Sequence, residues 1–185
     1  MKFIAIKNVG ENKELALDVV KSLVGNNIQS EEENDILFIY HSYENDYDIT
    51  NLLSALETEF GSSIFAYLSN DSSKERLSEE KNIYITLSEY LPHGIFKLKE
   101  ALLKAEKINN KRMILDFILE STGINEAFIE GFIESNLNVS FAGKKLNFHR
   151  NTMNYKLDKF YSVSGFDLRL FKDAYIIYSL FEKNR

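Results

Sequence analysis

Apolar and polar positions follow one another along this chain in two rhythms. Up to Pro92, short apolar runs are separated by amphipathic stretches. "KFIAIKN" (2–8) and "ILFIYH" (36–41) are nearly continuous apolar runs, and the second has the pattern of a strand buried on both faces. "SIFAYLS" (63–69) predicts a third strand and "NIYITL" (82–87) a fourth. Between them, "ENKELALDVVKSLVGN" (11–26) sets Leu15, Val19 and Leu23 near one helical face and ends at Gly25, a C-cap. "DYDITNLLSALETEFG" (46–61) spaces Ile49, Leu52, Leu53, Leu56 and Phe60 by helical turns, and the acidic "SEEEND" (30–35) reads as a solvated turn. Strand, helix, strand, helix, strand predicts a small α/β layer.

After Pro92 the period is helical throughout. "GIFKLKEALLKAEKI" (94–108), "KRMILDFILEST" (111–122) and "NEAFIEGFIESN" (125–136) each place apolar residues three or four apart, with a cap-like break at Gly123 and Asn125. The fold class expected is α+β. A small α/β sheet domain occupies 1–93, connecting helices 94–122, and an all-α C-terminal part 123–185.

Residues 140–165, "SFAGKKLNFHRNTMNYKLDKFYSVSG", read as two short helices and a tight turn. Ser140 is placed to cap a helix from Phe141, with Ala142 and Leu146 inward, Lys144 and Lys145 toward water, and an end near Asn147. A second helix starts near Arg150, with His149 at the cap, and runs to about 161. Met153, Leu157 and Phe160 share its buried face. The opposite face carries Asn151, Asn154, Tyr155 and Lys159, flanked by Thr152 and Lys156. That is a helix-turn-helix, whose second helix enters the DNA major groove and meets base edges with its N-terminal residues. Arg150, Asn151, Asn154, His149 and Tyr155 are the candidates for base edges. Lys144, Lys145, Lys156 and Lys159 suit phosphates. A closing helix capped by Asp167 carries a stripe of Phe171, Ala174, Tyr175, Tyr178 and Phe181, expected to pack on the motif. Ile177 and Leu180 lie off that stripe, leaving apolar area for a second subunit.

Charge sharpens this picture. The chain has 185 residues and a formal charge of -6, yet residues 1–137 hold 13 Lys and Arg against 24 Asp and Glu, a net of -11. Residues 138–185 hold 9 against 4, a net of +5. A basic end on an acidic protein marks a surface for an anionic partner. With 44% hydrophobic and 27% charged residues the composition is that of a globular protein. No apolar run is long enough to span a bilayer, and the start, "MKFIAIKNVG", is too soon charged for a signal peptide, so the expected location is cytoplasmic. The absence of cysteine excludes disulfides, thiolate metal sites and a cysteine nucleophile.

The stretch "NLNVSFAGKKLNFHRNTMNYKLDKFYSVSGFDLR" resembles the C-terminal helix-turn-helix of PucR/CdaR-type bacterial transcriptional regulators. The matching residues are Ala142, Leu146, His149, Arg150, Asn151, Thr152, Met153, Tyr155, Leu157, Gly165, Asp167 and Leu168. At Lys156 the family usually has Arg; Lys keeps the charge without the bidentate fork, which suits a phosphate rather than a base. "LPHGIFKLKEALL" is similar to the segment joining that family's degenerate GGDEF-like domain to its DNA-binding end, and the first ninety residues resemble a shortened form of that domain. The resemblance implies a cytoplasmic, dimeric regulator whose partner is double-stranded DNA.

Enzyme readings find little support. There is no Gly-Gly-Asp/Glu-Glu-Phe sequence, no P-loop and no GxGxxG. Ser78–Lys81 fits S-x-x-K without its companion motifs. Glu44, Asp46 and Asp48 lack the Gly and distal Glu of a calcium loop and read as a helix N-cap cluster. His41 and His93 have no spaced partner for a metal. The sequence therefore predicts no catalytic residues, no cofactor and no metal; a small-molecule effector of unknown identity stays open. The alternative is an interaction or small-molecule-binding module that keeps the helix-turn-helix fold without binding DNA.

Overall fold

Phe3, Ile4, Ala5 and Ile6 are buried without a break, because the strand they form is covered on both faces. In the computed structural model of the chain, which describes residues 1–60, 64–70 and 73–181, this strand β1 (Lys2–Lys7) is central in a five-stranded sheet. The order is β2 (Gln29–Glu33), β3 (Ile36–His41), β1, β4 (Phe65–Leu68), β5 (Gly94–Phe96). β1 runs antiparallel to β3 and β4, β2 antiparallel to β3, and β4 parallel to β5. On one face Ile4, Ile6, Leu37 and Ile39 meet Ala16 and Val20 of α1 (Lys13–Val24) and Ile49, Leu53 and Leu56 of α2 (Asp46–Phe60). On the other, Phe3 stacks on Tyr67 at 5.9 Å, and Tyr67 on Tyr84 of α3 (Lys74–Ser88) at 4.8 Å.

The chain divides into two compact units, Met1–Asn109 and Asn110–Arg185. The first holds the sheet, α1, α2, α3 and α4 (Leu98–Lys104); the second is helical. The fold is α+β, as the sequence predicts.

Four local expectations are corrected. The segment 30–35 is not a turn: Gln29–Glu33 is an edge strand, and only Asn34 and Asp35 turn, both at positive φ (54° and 60°). That conformation suits a two-residue hairpin between strands of right-handed twist. The strand survives exposure because its carboxylates are tied down, Glu31 and Glu33 by Lys81 and Glu32 by Lys13. Residues 82–87 are not a strand but the second half of α3. Ser73 caps that helix by accepting the Arg76 N–H, and Leu77, Glu80, Tyr84 and Leu87 fall on its buried face. Residues 94–108 are not one helix. Gly94–Phe96 pairs with β4, and α4 begins only after Lys97, whose N–H donates to Glu100. In α1 the inward residues are Ala16 and Val20, while Leu15 is exposed. Phe60 and Asp46, named in the sequence reading, lie outside the described side chains.

Candidate nucleic-acid interface

The second unit is built from α5 (Lys111–Thr122), α6 (Glu126–Ile133), α7 (Val139–Leu146), α8 (Arg150–Ser164) and α9 (Phe171–Leu180). Sequence punctuation sets most of its helix ends. Gly123 closes α5 at φ 65°, and the Asn125 side chain opens α6 by accepting the Phe128 N–H at 3.0 Å. α7 starts earlier than expected: its cap is Asn138, not Ser140. The Asn138 Oδ1 accepts from the N–H groups of both Ser140 and Phe141, at 3.0 and 3.1 Å. An amide placed two residues upstream takes both orphan donors, which leaves Ser140 inside the first turn.

The turn between α7 and α8 rests on Gly143. Asn147 adopts the left-handed conformation (φ 56°), and the Phe148 N–H donates to the Gly143 carbonyl at 2.8 Å. A Cβ on Gly143 would stand 2.8 Å from the Phe148 carbonyl oxygen, so any side chain there displaces the turn. Phe148 lies half-buried beside Phe128, ring centroids 6.2 Å apart. His149 then caps α8, its Nδ1 accepting the Asn151 N–H at 3.3 Å.

α8 is held from within by Met153, Leu157 and Phe160, all fully buried, as the wheel predicts. It packs on α5 and α7. His149, Arg150, Asn151 and Thr152 are exposed at its first turn, and Tyr155 stands 68% exposed one turn on. Asn154 is half-buried between them and the core. The lysines fall into distinct environments. Lys144 and Arg150 make no ion pair among the described residues. Lys145 pairs with Glu134. The Lys156 ammonium sits over the rings of Phe148 (5.3 Å) and Phe128 (5.7 Å), a cation–π contact directed at the turn. Lys159 is exposed, and its Nζ lies 3.1 Å from where a Gly123 Cβ would be, at the carbonyl end of α5.

The segment leading into α9 is tied back to α8. Arg169 pairs with Asp158 at 2.8 Å and with Asp167 at 2.8 Å; the hydrogen bond to Asp167 raises the guanidinium's pKa and keeps it charged. Asp167 is not the cap of α9. It accepts the Arg169 N–H, while buried Asp173 reaches back to the Asp167 N–H at 2.7 Å. The buried stripe of α9 shares only Ala174 with the one expected. Ala174, Ile177 and Leu180 are buried, whereas Phe171 and Tyr175 face outward. The sequence reading missed Asn138, Gly143 and Phe148, which shape the turn; the Gly inside a helical pattern beside Ala142 was the one available signal.

Chemically, the first turn of α8 offers a guanidinium, an amide, a hydroxyl and an imidazole to solvent at the positive end of a helix dipole, with a phenol one turn on. Among the described residues no group of three His, Asp or Glu is placed to hold a metal, and no helix is long and apolar enough to cross a membrane.

Comparison with known proteins places this geometry. Residues 127–181 match the PucR C-terminal helix-turn-helix domain. The uncharacterized protein YxkF of Bacillus subtilis (strain 168) is 43% identical over 56 residues, 30% of this chain and 19% of that protein. The DNA-binding transcriptional activator AdeR of the same organism is 28% identical over 156 residues, 78% of this chain and 30% of AdeR. The matches thus span less than a third of either relative. Among solved structures, the regulator of polyketide synthase expression from Bifidobacterium adolescentis aligns over 96% of this chain and 77% of its own, with a TM-score of 0.51 and 15% identity, a likeness of fold.

Proposed function

We propose that this chain, which carries a PucR-type helix-turn-helix domain, is a DNA-binding transcriptional regulator rather than an enzyme. The single observation that carries the reading is the start of α8, where His149, Arg150, Asn151 and Thr152 at the first turn and Tyr155 one turn on point outward while Met153, Leu157 and Phe160 hold the helix from within. Buried anchors and an uncommitted polar face are what a helix needs to lie in a major groove without losing its own packing. Arg150 and Asn151 supply bidentate geometry for guanine and adenine edges, with His149, Asn154 and Tyr155 beside them.

Lys144 on α7 contributes to affinity as a cation with no competing partner among the described residues, and Lys159 adds charge from the outer face of α8. Lys145 reaches phosphate by exchanging Glu134 for it. Lys156 acts chiefly through Phe148, fixing the turn that aims α8. The protein works on double-stranded DNA in the cytoplasm, as a homodimer, and any small-molecule effector is of unknown chemistry.

The test is fluorescence anisotropy of the full chain against duplex DNA from its own upstream region and a scrambled duplex, across a salt series. Affinity should fall with salt by roughly 0.9 decades per decade of salt for each phosphate neutralised. Asn151→Ala should cost roughly 1–3 kcal/mol on the preferred duplex and little on the scrambled one. Lys144→Ala should weaken both alike and flatten the salt slope. Folded protein that binds neither duplex at low salt overturns the proposal.

A further inference from the structure

The second unit leaves an apolar patch uncovered on the side of α9. Phe171 is 75% exposed, Tyr175 60% and Leu170 55%, and the rings of Phe171 and Tyr175 stack at 6.1 Å. Beside them a groove of about 330 Å³ is walled by Ile133, Leu137, Tyr178 and the two exposed rings. Single exposed apolar residues are ordinary on protein surfaces, but adjoining ones around a groove mark an interaction site.

Leu137 adds a second, independent sign. It sits at φ 59°, in the left-handed region, directly after Asn136 at φ 53°. The reversal between α6 and α7 needs that backbone, and Gly or Asn would adopt it with less strain. A branched apolar residue at such a position is strain retained for what its side chain does, and here the side chain lines the groove.

We propose that this patch is where a second copy of the chain docks, in a two-fold arrangement. The same patch carries both a projecting ring, Phe171, and a groove with room for a ring. An isologous contact requires that self-complementarity, because each surface must serve as knob and hole at once. The available area also sets the character of the contact. The three exposed side chains offer roughly 350 Å² per copy on ordinary side-chain areas, about half of the ~800 Å² per partner in a stable interface. The dimer is therefore weak in free solution and favoured where two copies are held side by side. Recognition chemistry points the same way. One α8 presents base-reading groups on little more than a turn, and two copies double the sites read. α9 packs on α5 and α6, whereas α8 packs on α5 and α7, so the patch and the outward residues of α8 belong to different helices. The patch also borders the turn that delivers Asn138, the cap of α7.

Sedimentation equilibrium of the full chain without DNA, from micromolar to millimolar protein, tests the proposal. The native chain should show a reversible monomer–dimer equilibrium, and Phe171→Ser with Tyr175→Ser should raise its dissociation constant by roughly tenfold or more. Both side chains are exposed, so the melting curve should be retained. In a chain without cysteine, a nitroxide on Lys172→Cys gives a second reading that leaves the patch intact. Dimers should show one narrow, short label-to-label distance. A chain that stays monomeric at every concentration, a dimer indifferent to the double substitution, or a long or broad label distance each overturns the proposal and leaves the groove to a different occupant. Neither measurement contains DNA, so its failure is distinct from failure of duplex binding.

Discussion

Glu80 is fully buried in α3, and its two carboxylate oxygens differ in surroundings. Oε1 accepts from the Tyr67 hydroxyl at 2.6 Å and from the Asn70 N–H at 3.2 Å; Oε2 is buried with no hydrogen-bond partner. Burial disfavours the anion and outweighs the help of Tyr67, Asn70 and the Arg76 charge, so the carboxyl titrates at about 7 rather than 4.5. Between those values the folded state keeps a proton that the unfolded chain has released. The contribution of Glu80 to the stability of the first unit is therefore fullest below pH 4.5, falls as pH rises toward 7, and is flat above. At about 1.4 kcal/mol per tenfold change, the total loss is on the order of 3 kcal/mol. Glu80→Gln removes the titration. Its amide keeps an oxygen for Tyr67 and Asn70 but buries N–H groups where Oε2 was, at a cost of roughly 1–3 kcal/mol. The variant should thus be less stable than the native chain at pH 4.5, and equal or more stable at pH 8. Urea unfolding, followed by circular dichroism and tyrosine fluorescence across that window, gives the difference directly. Curves that stay parallel at every pH would falsify the reasoning, because Glu80 would then ionise alike in both states.

Gly143→Ala gains helix propensity of about 1 kcal/mol, yet its Cβ meets the Phe148 carbonyl, and overpacking against backbone costs about 1–3 kcal/mol. A net fall in melting temperature with weakened duplex binding is expected, and a rise would sink the assignment. Gly131→Ala is the milder control, since its Cβ meets the Leu146 side chain, which can shift, rather than backbone. Lys156→Met keeps the stem but loses the contact over the two rings; it should cost about 0.5–1 kcal/mol of stability while leaving the salt slope of DNA binding nearly unchanged. A drop in that slope equal to the one from Lys144→Ala would show that Lys156 serves phosphate instead.

What was legible in the sequence is what local chemistry decides. β1 and β3 declared themselves as continuous apolar runs, and Gly123, Asn125, Asn147 and His149 marked helix ends by their own conformational needs. The candidate recognition helix followed from Met153, Leu157 and Phe160. Elsewhere distant partners decide. β2 has no apolar face, and it is a strand because β3 pairs with it and because Lys13 and Lys81, far along the chain, neutralise its carboxylates. The β-branched residues of "NIYITL" favour a strand locally, but burying Ile83, Tyr84 and Leu87, with Tyr84 stacked on Tyr67, imposes a helix. In α9 two apolar faces compete, and periodicity alone does not say which one the other helices cover.

The backbone contact between Gly143 and Phe148 also separates what the second unit must keep from what it is free to change. The angle of α8 is fixed by a glycine, a carbonyl and three buried side chains, and the hydrogen bond to His149 uses only the backbone of Asn151. Arg150, Asn151, Thr152 and Tyr155 thus hold none of the joints that orient their own helix. On the proposed DNA-binding reading, drift at those positions would rewrite the preferred operator while the domain goes on folding, so chains with one scaffold would diverge in the genes they address. On that reading His149 belongs to both sets, as the cap of α8 and as a proposed neighbour of the bases, so a change of target there would carry a cost in folding.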